Sequence, residues 1–127
     1  MLFQDLLVLS DIVLYLLQVV VGAIFIYHAL PKVRNPKAMA QGIGFPAGAV
    51  AMLGTVELVS GLALVFGVFA QVAAILLSIV MLGAIYFKMA KWKVPFSAQD
   101  KTGWEFDLVL LASNILILTT GGGSIGF

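Results

Sequence analysis

Long apolar runs dominate the chain, broken by three short segments rich in polar residues, proline or glycine. An apolar run of about 20 residues crosses a hydrocarbon core of about 30 Å. Four runs qualify as candidate spans: about 12–30, 47–70, 72–88 and 104–120. The first stops at Pro31-Lys32, and the second follows Phe45-Pro46. Gly67 and Gln71 mark a tight turn between the second and third, and the fourth, the shortest, ends at Gly121-Gly122-Gly123. The pattern predicts an all-α protein, a transmembrane four-helix bundle forming a single domain over 1–127. It leaves no room for a separate soluble domain, and no internal repeat is visible.

Composition agrees with that reading. Of 127 residues, 62% are hydrophobic and 10% charged, against about 25% charged in a soluble domain. Cysteine is absent and His28 is the one histidine. A thiol relay, an iron–sulfur cluster and bis-His haem ligation by one chain are thereby excluded. The N-terminus lacks a basic region, so no cleaved signal peptide is expected. The net charge of +1 gives no sign of nucleic-acid binding.

Charge placement predicts orientation. All seven basic residues, Lys32, Arg34, Lys37, Lys88, Lys91, Lys93 and Lys101, flank or occupy the segments 31–46 and 89–103. The positive-inside rule makes these two loops cytoplasmic, places both termini on the non-cytoplasmic side, and assigns the protein to the cytoplasmic membrane. In the first loop, Asn35 is a candidate N-cap, Pro36 suits the first helical position and Gly42 can end the turn, which reads as a short interfacial helix. The second, Lys91-Trp92-Lys93-Val94-Pro95-Phe96, interleaves bases with aromatics. Such a segment anchors at headgroups in the ordinary case; the alternative is a lid over a ligand.

Glu57 carries the most chemistry. It is the only formally charged residue between Ala47 and Phe87. A carboxylate at mid-membrane costs roughly 2.5–3.5 kcal/mol on insertion scales, so it must face other helices or a ligand, protonated or hydrogen-bonded. Counting equal depth from the basic end at about 1.5 Å per residue sets Gly22, Glu57, Ser78 and Asn114 in one layer. Glu57 is therefore expected to face Asn114, with Ser78 and Asn114 as its hydrogen-bond partners. Gly54 and Gly61 lie one turn to either side of Glu57 and suit close packing. Asp107, Asn114 and Gly121 share one stripe of the fourth helix; Asp11, Tyr15, Gln18 and Gly22 make a comparable stripe on the first. His28 and Lys32, one turn apart, form a further pair. The layer reads either as a structural clasp or as a ligand or proton site.

Several segments in order resemble the DoxX family of small four-helix membrane proteins. They are Gly22 through Lys32, with a histidine four residues before a lysine; Gly54 through Gly61, with its embedded glutamate; Gly103-Trp104-Glu105; and Gly121-Gly122-Gly123-Ser124. Two positions depart from that pattern. Gln18 stands where the family usually has an arginine, and the chain ends Ser124-Ile125-Gly126-Phe127 where an aspartate often follows.

The resemblance implies quinone-linked sulfur oxidation or membership of redox-defence complexes. The leading expectation is a membrane subunit of a quinone-linked oxidoreductase, not active alone. It would hold no intrinsic cofactor, bind quinone, and receive electrons from another membrane or peripheral redox subunit. Glu57 is the catalytic candidate. His28, Lys32, Glu57, Ser78, Glu105 and Asn114 are the ligand-binding candidates. The alternatives are a non-catalytic accessory or assembly subunit and, third, proton or small-solute transport. A homo-oligomer is compatible with all three.

Overall fold

The computed structural model describes residues 3–97 and 103–121, so Lys101 and Gly122 to Phe127 lie outside the described residues. The described residues form helices only: α1 Ser10–Arg34, α2 Pro36–Ile43, α3 Ala47–Phe66, α4 Ala70–Tyr86 and α5 Trp104–Thr120. A 3-10 turn, Gln4–Leu9, leads into α1, and a π turn, Phe87–Lys91, extends α4. Three helical stretches, Asp5–Arg34, Ala47–Phe66 and Ala70–Lys91, are long and apolar enough to cross a membrane. At 17 residues, α5 is as short as α4 but has no π turn among the described residues to extend it. It packs along α4 nonetheless.

Several boundaries differ from the expected ones. α1 runs through Pro31, which can donate no bond to Tyr27 O, and closes its last turn with Asn35 N to Pro31 O at 2.9 Å. Losing one hydrogen bond is cheaper in apolar surroundings than unwinding a turn. α3 ends at Phe66, short of 70, because Gly67 takes φ +70° and builds a Schellman cap. Val68 N then donates to Ala63 O at 2.9 Å and Gly67 N to Leu64 O at 3.2 Å. The interhelix turn is therefore 67–69, and Gln71 falls inside α4. There its Nε2 donates to Leu118 O of α5 at 2.8 Å. α2 forms as predicted at its start, with Asn35 Oδ1 accepting from Ala38 N at 3.4 Å and Pro36 in the first turn. It ends at Gly44, φ +79°, rather than at Gly42.

Packing follows the ring α1–α3–α4–α5. Contacts are most extensive within two antiparallel pairs, α1 with α3 and α4 with α5, and slight between α1 and α5. Glycine makes the first pair close. A Cβ on Gly22 would lie 2.6 Å from Gly61 O, and one on Gly61 would lie 2.8 Å from Gly22 O. One on Gly54 would meet Lys32 Cβ at 2.7 Å. In lipid, where apolar surface gives no drive for helix association, such backbone approach and interhelical hydrogen bonds hold helices together. Tyr15 OH donates to Val65 O at 3.1 Å and Gln18 Nε2 to Leu64 O at 2.9 Å, so α1 satisfies carbonyls that end α3. Phe25, Leu64, Leu77 and Ile117 fill the centre.

Gly22→Val must push α1 off α3. It should destabilise the protein by about 1–3 kcal/mol, the usual range for overpacking. Gly48→Ala, where an added Cβ meets nothing within 4 Å, should leave stability unchanged. Thermal unfolding in one detergent compares the two.

Candidate functional site

At the end of the bundle that carries the basic segments, the α1/α3 pair and the α4/α5 pair separate around a cavity of about 540 Å³. Small residues of α4 make the room. Gly83 and Ala84 line the wall, and a Cβ on Gly83 would meet nothing within 4 Å. Phe25, Met81 and Leu110, all buried, line its apolar inner part. Met39 of α2, Phe45, Phe87 and Trp92 line its outer part. These three rings touch one another: Phe45–Phe87 at 4.9 Å, Phe87–Trp92 stacked at 5.7 Å and Phe45–Trp92 at 6.1 Å between centroids. Trp92 thus lies on the cavity wall.

The cavity's polar groups are few and opposed. Lys32 Nζ donates to Glu57 Oε1 at 2.6 Å, joining α1 to α3. Lys88 Nζ lies 2.7 Å from Asp107 Oδ2, joining the turn after α4 to α5. His28 is half-buried between them, its ring 5.4 Å from that of Phe106 and 5.4 Å from that of Tyr27. Glu57 is only 2% exposed and Asp107 only 5%. A buried charge is tolerable when paired, and here both carboxylates are.

Sequence reasoning placed Glu57 correctly in the interior but mistook its partner. Glu57 bonds to Lys32, not to Ser78 or Asn114. Lys32 starts near the helix end, yet its long stem runs inward over the space left by Gly54. In a low dielectric, an ammonium outcompetes a neutral amide or hydroxyl for a carboxylate. Asn114 instead donates to Leu110 O of its own helix at 2.8 Å, and neither it nor Ser78 lines the cavity. Asn114 Oδ1 and Ser78 Oγ are buried without a protein partner. Glu105 also stays outside the lining. It occupies the first turn of α5, where its backbone N donates to Phe96 O at 3.0 Å. His28, Lys32 and Glu57 are brought together; Ser78, Glu105 and Asn114 are not among them.

The Lys88–Asp107 pair was missed as a unit. Its signal was present: Asp107 shares the Asn114 stripe, and Lys88 ends the third run as Lys32 ends the first. What the sequence lacked was the register that sets one against the other.

The DoxX family model matches residues 13–90. A Bacillus subtilis (strain 168) protein named "Putative oxidoreductase CatD" is 31% identical over 109 residues, covering 84% of this chain and 77% of that protein. No solved structure matches the chain significantly.

Removing one member of a buried ion pair leaves the other charge uncompensated, which typically costs about 3–5 kcal/mol. Lys32→Met and Glu57→Gln should each lower stability by that order. The double variant should recover most of the loss, and a double-mutant cycle on unfolding in detergent measures the coupling.

Proposed function

The chain belongs to the DoxX family, and on that premise we propose that it is the membrane subunit of a quinone-linked oxidoreductase whose electrons come from a partner subunit. The observation that carries this reading is the cavity: about 540 Å³, apolar along its length, with two lysine–carboxylate pairs and a histidine on its walls. Sites for small apolar ligands have this volume and this ratio of apolar lining to placed polar groups. Lys32 and His28 can donate to a ring carbonyl oxygen, and Glu57 can exchange a proton beside it. The chain has no cysteine and one histidine; a flavin, haem or iron–sulfur cluster on another subunit is the electron source. The name of the B. subtilis relative supports oxidoreduction at the same level and adds nothing about the substrate.

The fourth long helix, α5, is proposed to complete a four-span bundle with both termini outside and the segments 31–46 and 89–103 on the cytoplasmic side of the cell membrane. The absence of cysteine makes the test clean. A single cysteine replacing Lys37 or Lys93 should react with an impermeant maleimide only after cells are opened. Labelling of either in intact cells would reverse the orientation.

The functional reading is tested by native mass spectrometry of the protein taken from its own membranes in a mild detergent. A bound quinone, with a flavin, haem or iron–sulfur subunit, is the expected result. Gly83→Leu, which fills the cavity without touching a charge, should lose the quinone and keep the partner. A lone homo-oligomer carrying phospholipid alone would make the Lys32–Glu57 pair a structural clasp and the chain an accessory subunit.

A further inference from the structure

Two lysine–carboxylate pairs border the cavity, and the quinone reading so far uses one of them. The pairs belong to opposite halves of the bundle: Lys32–Glu57 to α1 and α3, Lys88–Asp107 to the end of α4 and to α5. The His28–Phe106 ring contact sets their relative depth. Gly54 packs against Ala29 and Lys32, which brings Glu57, three residues further along α3, to the level of His28, and Asp107 is the next residue after Phe106. The two pairs therefore stand at a common level on facing walls.

Both have bonding capacity to spare. Lys32 has three N–H donors, of which one goes to Glu57. Asp107 is 5% exposed and paired with Lys88 through Oδ2 at 2.7 Å, and a carboxylate has about four acceptor sites, so one contact does not exhaust it.

A lysine–carboxylate pair offers a donor and an acceptor side by side. The ammonium suits a carbonyl oxygen, which only accepts; the carboxylate suits a hydroxyl, which can donate. Each pair can thus hold one oxygen of a ring in both its oxidised and its reduced form. Two such pairs on facing walls, with Phe25, Met81 and Leu110 between them, fit a ring with an oxygen at each end.

We propose that the cavity takes a 1,4-dione ring across its width, one oxygen at each lysine–carboxylate pair, with Lys88 and Asp107 as the second binding pole. This rests on the quinone reading and specifies the class of quinone. Reduction converts both C=O groups to C–OH. The two electrons come from the reduced flavin, haem or iron–sulfur centre of the partner. Each ammonium passes one proton to the oxygen it contacts, and the adjacent carboxylate relays a replacement from water at the loop side, so two protons accompany two electrons.

Trp92, on the cavity wall, reports binding by its fluorescence. The probes are 1,4-naphthoquinone, read by direct quenching, and its one-carbonyl relative 1-tetralone, read by competition, with the full chain in nanodiscs. One hydrogen bond to a charged group is worth about a factor of ten or more in affinity, so the wild type should bind the dione at least about tenfold more tightly than tetralone. Asp107→Asn and Lys88→Met should each weaken the dione about tenfold but tetralone less than about twofold, because its single oxygen can use either pole. Equal wild-type affinity for the two probes overturns the second pole without need of any variant. So does an Asp107→Asn protein that binds the dione like wild type while Glu57→Gln weakens it; the quinone reading then survives with a one-sided site. Absence of dione binding in the wild type removes both.

Discussion

The backbones of α1 and α3 touch, and most of the architecture depends on that contact. Gly22 and Gly61 face each other so closely that neither position has room for a methyl group, and Gly54 gives the same clearance to the stem of Lys32. Small residues are what allow helices to associate in a solvent as apolar as their own side chains. Close approach then brings polar groups within reach. Tyr15 and Gln18 meet the carbonyls at the end of α3, and Lys32 reaches Glu57. The two charges are tolerable because they are paired, and they are paired because glycine let the helices close.

The second helix pair is held differently. α4 and α5 carry Gln71 to Leu118 O at one end and Lys88 to Asp107 at the other, with alanines and Leu77 in the buried stripe between. Where Gly83 and Ala84 face the first pair, no large side chain bridges the gap, and the cavity opens there. A buried ion pair is poor evidence for stability, since apolar residues of similar volume often serve as well or better. Here two of them line one apolar cavity.

The outer end of the cavity is bounded by backbone as much as by side chains. The π turn Phe87–Lys91 places Phe87 against Phe45 and Trp92, and π turns of this kind recur at functional positions. Val94 N donates to Lys88 O at 2.7 Å, returning the chain over the turn. At the far side of the loop, Gly103 lies so close to Phe96 that a Cβ would sit 2.2 Å from its carbonyl oxygen, and only glycine fits. The aromatic and basic composition of this loop is ordinary for a membrane interface, and here it also places Trp92 on the cavity wall.

The sequence by itself determined the class of structure and most of its elements. Apolar runs of membrane length, glycine and proline at their ends, and basic residues gathered in two segments require no tertiary information, because each reflects the local cost of placing a residue in hydrocarbon. The same cost marked Glu57 as interior, and the seven-residue stripe marked Asp107 and Asn114. Family motifs in His28, Lys32 and Glu57 pointed at three residues that do line one cavity. Partnership was beyond it. Equal depth counted from helix ends set Glu57 beside Ser78 and Asn114, yet a lysine stem several bonds long, passing over a glycine, decided that its partner is Lys32. That choice, the Lys88–Asp107 pair and the cavity between them depend on helix register and on the reach of flexible side chains. Those are fixed only when the helices pack, since the energy of a buried charge depends on what lies across the interface and not on its neighbours in the chain.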